Sequence, residues 1–166
     1  MGLIHVTIVV DVETVLDTYP GSLDAEQPRV VFGGHIYLIV GKPNALFGDG
    51  SQVLVLIAQV GDEICWKAIS STLASEYTVA LYHFGINPGN PVLGQAQFNL
   101  ATVRSFYPTT TNHLAFEAQD VSVPYWSAKA SHAGLALYGF RFAVLDGAGG
   151  VRGFYGWGGS VAVRKV

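Results

Sequence analysis

The sequence predicts an all-β fold, an antiparallel and jelly-roll-like β-sandwich of about nine or ten strands. Three observations lead to this prediction. Near the start of the chain Ile4, Val6 and Ile8 alternate with His5 and Thr7, which is the period of a half-buried strand. Glycine and proline clusters recur about every 8 to 12 residues, the spacing of strand-connecting turns. Long stretches of helical periodicity are absent. With 166 residues, the chain is predicted to form a single domain over residues 1–166.

The predicted elements follow the chain in order. Residues 18–28 and 42–51 are rich in turn-forming residues and are predicted to be loops. Residues 70–76 predict a short turn or helix, while residues 95–105 fit either a strand or a helix. Gly33-Gly34 indicates a bulge within the second strand. The predicted strands cover residues 4–13, 30–40, 52–60, 64–69, 77–84 and 114–123, followed by a hairpin that turns at residues 146–150.

The composition predicts a protein that associates with itself. Half of the residues are hydrophobic and only 13% are charged, against about a quarter in ordinary domains. Little charge repulsion therefore opposes contact, and we expect a homo-oligomer or a particle. A net charge of −3 argues against nucleic acid as a partner. No apolar run is long enough to span a membrane. The start lacks a conventional signal peptide, which predicts a cytoplasmic protein and leaves release by another route open.

The residues that could support catalysis do not form a recognisable set. Asp11 and Glu13 share one face of the first predicted strand, about 7 Å apart, which suits a glycosidase pair but is more typical of a solvated strand end. The five histidines lack zinc-binding spacing. Cys65 has no nearby histidine for copper, and Asp146 stands alone where a calcium loop needs several oxygens. We predict a protein that is not an enzyme and carries no cofactor or metal. An active site assembled from distant residues is the third hypothesis.

Aromatic residues near the C-terminus are the candidate ligand-binding residues. Their rings could stack against sugar rings or another flat ligand, with loop polar groups adding directional hydrogen bonds. The more common alternative is that these rings fill the core or an oligomer interface. The candidates are Tyr125, Trp126, Tyr155 and Trp157, with Asn44 and Asp49 as the polar groups.

Five segments together resemble the AidA/PixA inclusion-body protein family of bacteria. They are IHVTIVVDVETVL, GHIYLIVGK, VGDEICWKAISSTLASEYTVALYHF, VPYW and FRFAVLDGAGGVRGFYGWGGSVAV, and they cover most of the chain in order. The resemblance implies a compact β-sandwich, cytoplasmic accumulation and, in some members, inclusion formation or a link to host colonisation. It brings no catalytic residues. Two departures, the single Met1 and Gly158-Gly159 in place of the family's Asp-Pro after Trp157, weaken the expectation of crystalline storage.

These observations rank three functions, of which an enzyme with an unrecognised active site is the third. The first is a non-enzymatic, self-associating protein with a colonisation or storage role. The second is a carbohydrate-binding, lectin-like module that uses the C-terminal aromatic residues.

Overall fold

Eleven strands and one short helix make up the fold in the computed structural model, which describes residues 1–73 and 76–165. Residues 74 and 75, within the turn or helix predicted over 70–76, lie outside the described residues. The elements are β1 (Leu3–Val10), α1 (Val12–Thr18), β2 (Arg29–Val30), β3 (Ile36–Val40), β4 (Ala45–Phe47), β5 (Val55–Gln59), β6 (Glu63–Ser70), β7 (Tyr77–Ile86), β8 (Gln97–Pro108), β9 (Phe116–Lys129), β10 (Gly134–Asp146) and β11 (Val151–Arg164).

The strands form two sheets that face each other across the core, so the predicted all-β sandwich is confirmed. Sheet A has the order β3-β1-β6-β9-β8, and sheet B has the order β4-β5-β11-β10-β7, with β2 also paired to β11. Most pairings are antiparallel, as expected, but β1 runs parallel to β6, and β11 runs parallel to β2 and β5. Both sheets are therefore mixed.

An aromatic cluster joins the two sheets at the centre of the core. Trp66 on β6 lies 4.5 Å from Phe84 and 5.3 Å from Tyr138, measured between ring centroids. Phe84 and Tyr138 belong to sheet B and stack on each other. Alternate residues of β1 add a buried row of Ile4, Val6, Ile8 and Val10. The period of two seen in the sequence is the period at which β1 contributes to this core.

Two predictions for the N-terminal part are wrong. The first strand does not continue to residue 13, because Asp11 caps α1 and its carboxylate accepts hydrogen bonds from the backbone N–H and hydroxyl of Thr14. Capping chemistry ends the strand there, and Asp11 and Glu13 do not share a strand face. Residues 30–40 form two strands, one in each sheet, because Gly33 and Gly34 adopt positive φ values of 89° and 83° and redirect the chain.

A β-hairpin extends beyond the end of sheet A. Strand β6 pairs with β9 only from Lys129 to Trp126, whereas β8 pairs with β9 along the whole length from Gln97 to Pro108. We call residues 99–125 the arm. Among the described residues, its strands have only each other as neighbours in the sheet, over roughly 30 Å. Pro124, where we expected the strand to have ended, is accommodated because β9 lacks a second partner strand there.

Two buried polar groups in the central cluster have no hydrogen-bond partner within the described residues, the indole N–H of Trp66 and the hydroxyl of Tyr138. Burial raises the pKa of Tyr138 to about 12, and the Trp66 indole N–H, which lies close to the phenol oxygen but outside hydrogen-bond geometry, opposes that rise. The unfolded phenol ionises near pH 10, about two units lower. The unfolded chain therefore releases this proton first, so the free energy of unfolding should fall as the pH rises from about 10 to about 12.

The ionisation of Tyr138 should lower the free energy of unfolding by roughly 2–3 kcal/mol once the pH exceeds about 12. The Tyr138→Phe variant lacks this group and should therefore lose less stability between about pH 10 and about pH 12 than the wild type. At neutral pH the variant should be as stable as the wild type or more stable, because an unpaired buried hydroxyl costs about 1–3 kcal/mol. Urea unfolding at neutral pH and at about pH 11 measures both effects. Tyr37→Phe, at an exposed tyrosine of β3, is the matched control and should change neither. A large loss of stability at neutral pH in Tyr138→Phe would contradict this account.

Candidate functional site

The predicted ligand-binding residues lie in different parts of the molecule. Tyr125 and Trp126 are on β9 in sheet A, whereas Tyr155 and Trp157 are on β11 in sheet B. The two polar candidates belong to the loop region around β4. The structure therefore does not bring the four rings onto one surface.

Trp126 packs at the margin of the core. Its ring stacks on Phe84 and meets Phe98 edge-on, with centroids 6.5 and 5.6 Å apart. Its indole N–H donates to the carbonyl oxygen of Leu81 at 3.0 Å. Tyr125 is half-buried on the opposite face of β9, because successive strand residues point to opposite sides. The two neighbours cannot form one stacking platform.

Tyr155 and Trp157 share the core-side face of β11. Tyr155 is fully buried, stacks on Phe142, and donates its hydroxyl to the carbonyl oxygen of Tyr19 at 3.2 Å. Burial raises the pKa of Tyr155. Trp157 is half-buried, and its indole N–H donates to the carbonyl oxygen of Gln52 at 2.9 Å. The polar atoms of both rings are thus engaged within the chain.

The two polar candidates, Asn44 and Asp49, form hydrogen bonds that stabilise the loop around β4. Asn44 donates from its side-chain amide to the carbonyl oxygen of Ile57 at 3.2 Å. The Asp49 carboxylate accepts from the backbone N–H of Val40 at 2.9 Å. Both side chains therefore hold neighbouring strands in place.

Metal-ligating and nucleophilic groups are dispersed as well. Within the described residues, no group of three or more histidine, cysteine, aspartate or glutamate side chains could hold a metal ion. Cys65 is buried, and burial together with the Glu63 carboxylate raises the pKa of its thiol. A thiol in that environment is a poor nucleophile.

A shallow trough of about 610 Å³ lies on the outer face of sheet B, and none of the predicted site residues except Trp157 lines it. Its floor is a row of glycines on three adjacent strands, where Gly139 of β10 lies opposite Gly85 on one side and Gly158 on the other. Arg141 and His83, directly opposite each other in register, lie beside this row. A glycine within a strand pattern often marks a close approach of another backbone or a ligand. Gly85, Gly139 and Gly158 are therefore the residues by which the sequence could have indicated the trough.

Packing within the chain requires glycine at one of these three positions and does not require it at the other two. A Cβ atom on Gly158 would collide with the carbonyl oxygen of Tyr138. On Gly139 a Cβ would lie 3.8 Å from its nearest neighbour, and on Gly85 it would lie 3.4 Å from the His83 ring. The fold thus requires glycine at 158 and accommodates a larger residue at 139.

The described surface is rich in large apolar side chains. Twenty-three of them are exposed, and they lie on the outer faces of both sheets, on loops and along the arm. The arm and its base alone expose Phe98, Leu100, Val103, Phe106, Tyr107, Leu114, Phe116 and Val121. Along the arm these side chains adjoin one another, whereas exposed apolar residues elsewhere on a protein surface are often isolated.

These features define a two-sheet β-sandwich protein with a projecting hairpin and a largely uncharged surface. Comparison with known proteins then identifies its family. The family model for PixA, described as inclusion body protein, matches residues 2–163. The chain belongs to this family, which confirms the resemblance seen in the sequence.

A solved structure supports the fold independently. The crystal structure of an inclusion body protein (PixA) from Burkholderia cenocepacia J2315 superimposes with a TM-score of 0.81 over 98% of this chain and 96% of that chain, at 20% sequence identity. At that identity the likeness concerns the fold alone. No curated protein matches the sequence. The described residues contain no helix with the length and apolar character needed to span a bilayer.

Proposed function

We propose that this PixA-family protein is a non-enzymatic, self-associating protein with a storage role in bacterial inclusions. The observation that carries the proposal is the distribution of exposed apolar side chains over several faces. Tyr37 and Ile39 lie exposed on β3 of sheet A, and Leu135 and Leu137 lie exposed on β10 of sheet B. A molecule with adhesive patches on more than one face can grow beyond a closed dimer.

Scarce surface charge supports the same proposal. The described residues contain a single ion pair, between Arg141 and Glu26 at 3.5 Å. Charged side chains keep proteins apart in concentrated solution, and this chain has few of them. The family's description as inclusion body protein fits such behaviour. Cytoplasmic accumulation belongs to this proposal, and a role in host colonisation rests on the family resemblance alone.

The molar mass should increase with protein concentration. It should also increase with ammonium sulfate, because that salt strengthens apolar burial and screens the attraction between charges. Size-exclusion chromatography with light scattering, across concentration and across ammonium sulfate and sodium chloride, measures both dependences. A monomer at every concentration and salt would contradict self-association, and dissociation by salt would assign it to charged groups instead.

Binding of a carbohydrate or another small ligand is the second candidate, and the trough on sheet B favours it. The glycine floor lets a flat molecule approach the backbone, and Arg141 with His83 offers hydrogen-bond donors at its side. Trp157 lies opposite Phe140 in register and so shares the core-side face. Recognition there would accordingly rest on the polar groups, with the rings acting as structure behind the sheet.

The Gly139→Val variant tests this candidate because its side chain would occupy the trough while a β-branched residue suits the strand. A glycan array probed with the wild type should show bound glycans, and the variant should lose most of that signal. Gly41→Val is the matched control, since a Cβ on Gly41 has no atom within 4 Å. Binding kept in Gly139→Val, or an array without signal for the wild type, would remove carbohydrate binding at this place.

A further inference from the structure

The arm carries an apolar face that the rest of its own chain leaves uncovered. Trp126 at the base lies opposite Trp66 in register, so both point to the core side of sheet A. Counting in steps of two along the paired strands places Phe98, Leu100, Phe106 and Phe116 on that same side. Within the sandwich, sheet B covers this side. Along the arm these four side chains are 56, 64, 65 and 66% exposed.

A two-stranded ribbon is only marginally stable in water without a further layer. The exposed aromatic surface of this face, at Phe98, Phe106 and Phe116, amounts to roughly 280–470 Å². With Leu100 and the exposed polar and small side chains of the same face, the contact surface is on the order of 800 Å², which is about what one partner contributes to a stable interface. A covering layer would therefore stabilise the arm, and the core-side face is large enough to form a stable interface with one.

A pair of opposite charges at the middle of this face indicates what the covering layer is. Arg104 and Asp120 lie directly across from each other on the core side, both exposed, and neither forms an ion pair with any described residue. The face therefore contributes one positive and one negative charge at its centre. Two such faces are complementary to each other, as an isologous contact requires. The hydrocarbon of a membrane would instead leave both charges unsolvated.

We propose that the core-side face of the arm packs against the same face of the arm of a second copy of this chain, with the Arg104 and Asp120 pairs of the two copies meeting at the centre. This inference rests on the proposed self-association and identifies the arm as the surface through which two copies first associate. The second arm supplies the apolar layer that sheet B supplies elsewhere.

Charge reversal tests the contact. Arg104→Asp places two negative charges on each copy, and Asp120→Arg places two positive charges on each copy. Each variant alone should dimerise more weakly than the wild type, with a dimer dissociation constant raised about tenfold or more by like-charge repulsion. An equimolar mixture of the two variants should recover the wild-type dimer, because one face is then doubly negative and its partner doubly positive. Sedimentation velocity of each variant and of the mixture measures this.

Recovery in the mixture arises only between copies, so a repaired contact within one hairpin cannot imitate it. Single variants that associate like the wild type, or a mixture that stays monomeric, would overturn the arm contact. The Phe106→Ser variant, also on the core-side face, should weaken the dimer, while Phe47→Ser, at an equally exposed phenylalanine on β4 of sheet B, should not. Circular dichroism of each variant establishes that the sandwich is folded.

The outcomes for the wild type separate this inference from the proposed function. If the wild type associates and the arm variants associate equally well, self-association stands and the arm contact fails. If the wild type is a monomer at every concentration, the proposed function fails and the arm contact fails with it.

Discussion

Face-to-face packing of sheet A on sheet B is the interaction on which the rest of this structure depends. The strands outside the arm gain stability mainly by burying one side against the opposite layer, as Trp66 of β6 does against Phe84 and Tyr138. The hairpin of β8 and β9 extends beyond the part of sheet A that sheet B covers. Apolar residues continue along its core-side face past that point, and this uncovered part of the hairpin is the arm.

The same packing determines what the aromatic residues do. Tyr155 and Trp157 occupy the core-side face of β11, so their rings stabilise the sandwich and their polar hydrogens satisfy backbone carbonyls of Tyr19 and Gln52. The opposite, outer face of β7, β10 and β11 carries the row of glycines. The trough on sheet B is therefore the reverse side of a heavily aromatic core, and any binding there would rest on Arg141, His83 and backbone groups.

Several parts of this fold could be predicted from the sequence because they depend on local periodicity or turn chemistry. The alternation along β1 is one example. The turn of the final hairpin is another, where the Asp146 carboxylate accepts from the backbone N–H groups of Ala148 and Gly150. Family membership could also be recognised, since the matching segments extend over most of the chain.

Other features depend on contacts between distant residues and could not be predicted. Gly85, Gly139 and Gly158 form one row only through the register of three strands. Residues 95–105 fit either a strand or a helix because neither face of the arm is buried within its own chain, so the strict alternation of a half-buried strand is not required there. The four aromatic candidates lie within 33 residues of one another in the sequence, but Tyr125 and Trp126 point to opposite faces of β9 and lie in a different sheet from Tyr155.

The central claim is that one copy leaves the core-side face of the arm uncovered and that a second copy covers it. Amide hydrogen exchange measured as a function of protein concentration tests this claim most directly. In dilute solution the amides of residues 99–125 should exchange far faster than those of β1 and β10, and concentrating the protein should slow exchange in the arm while leaving β1 and β10 unchanged. Exchange in the arm that does not respond to concentration would contradict the claim.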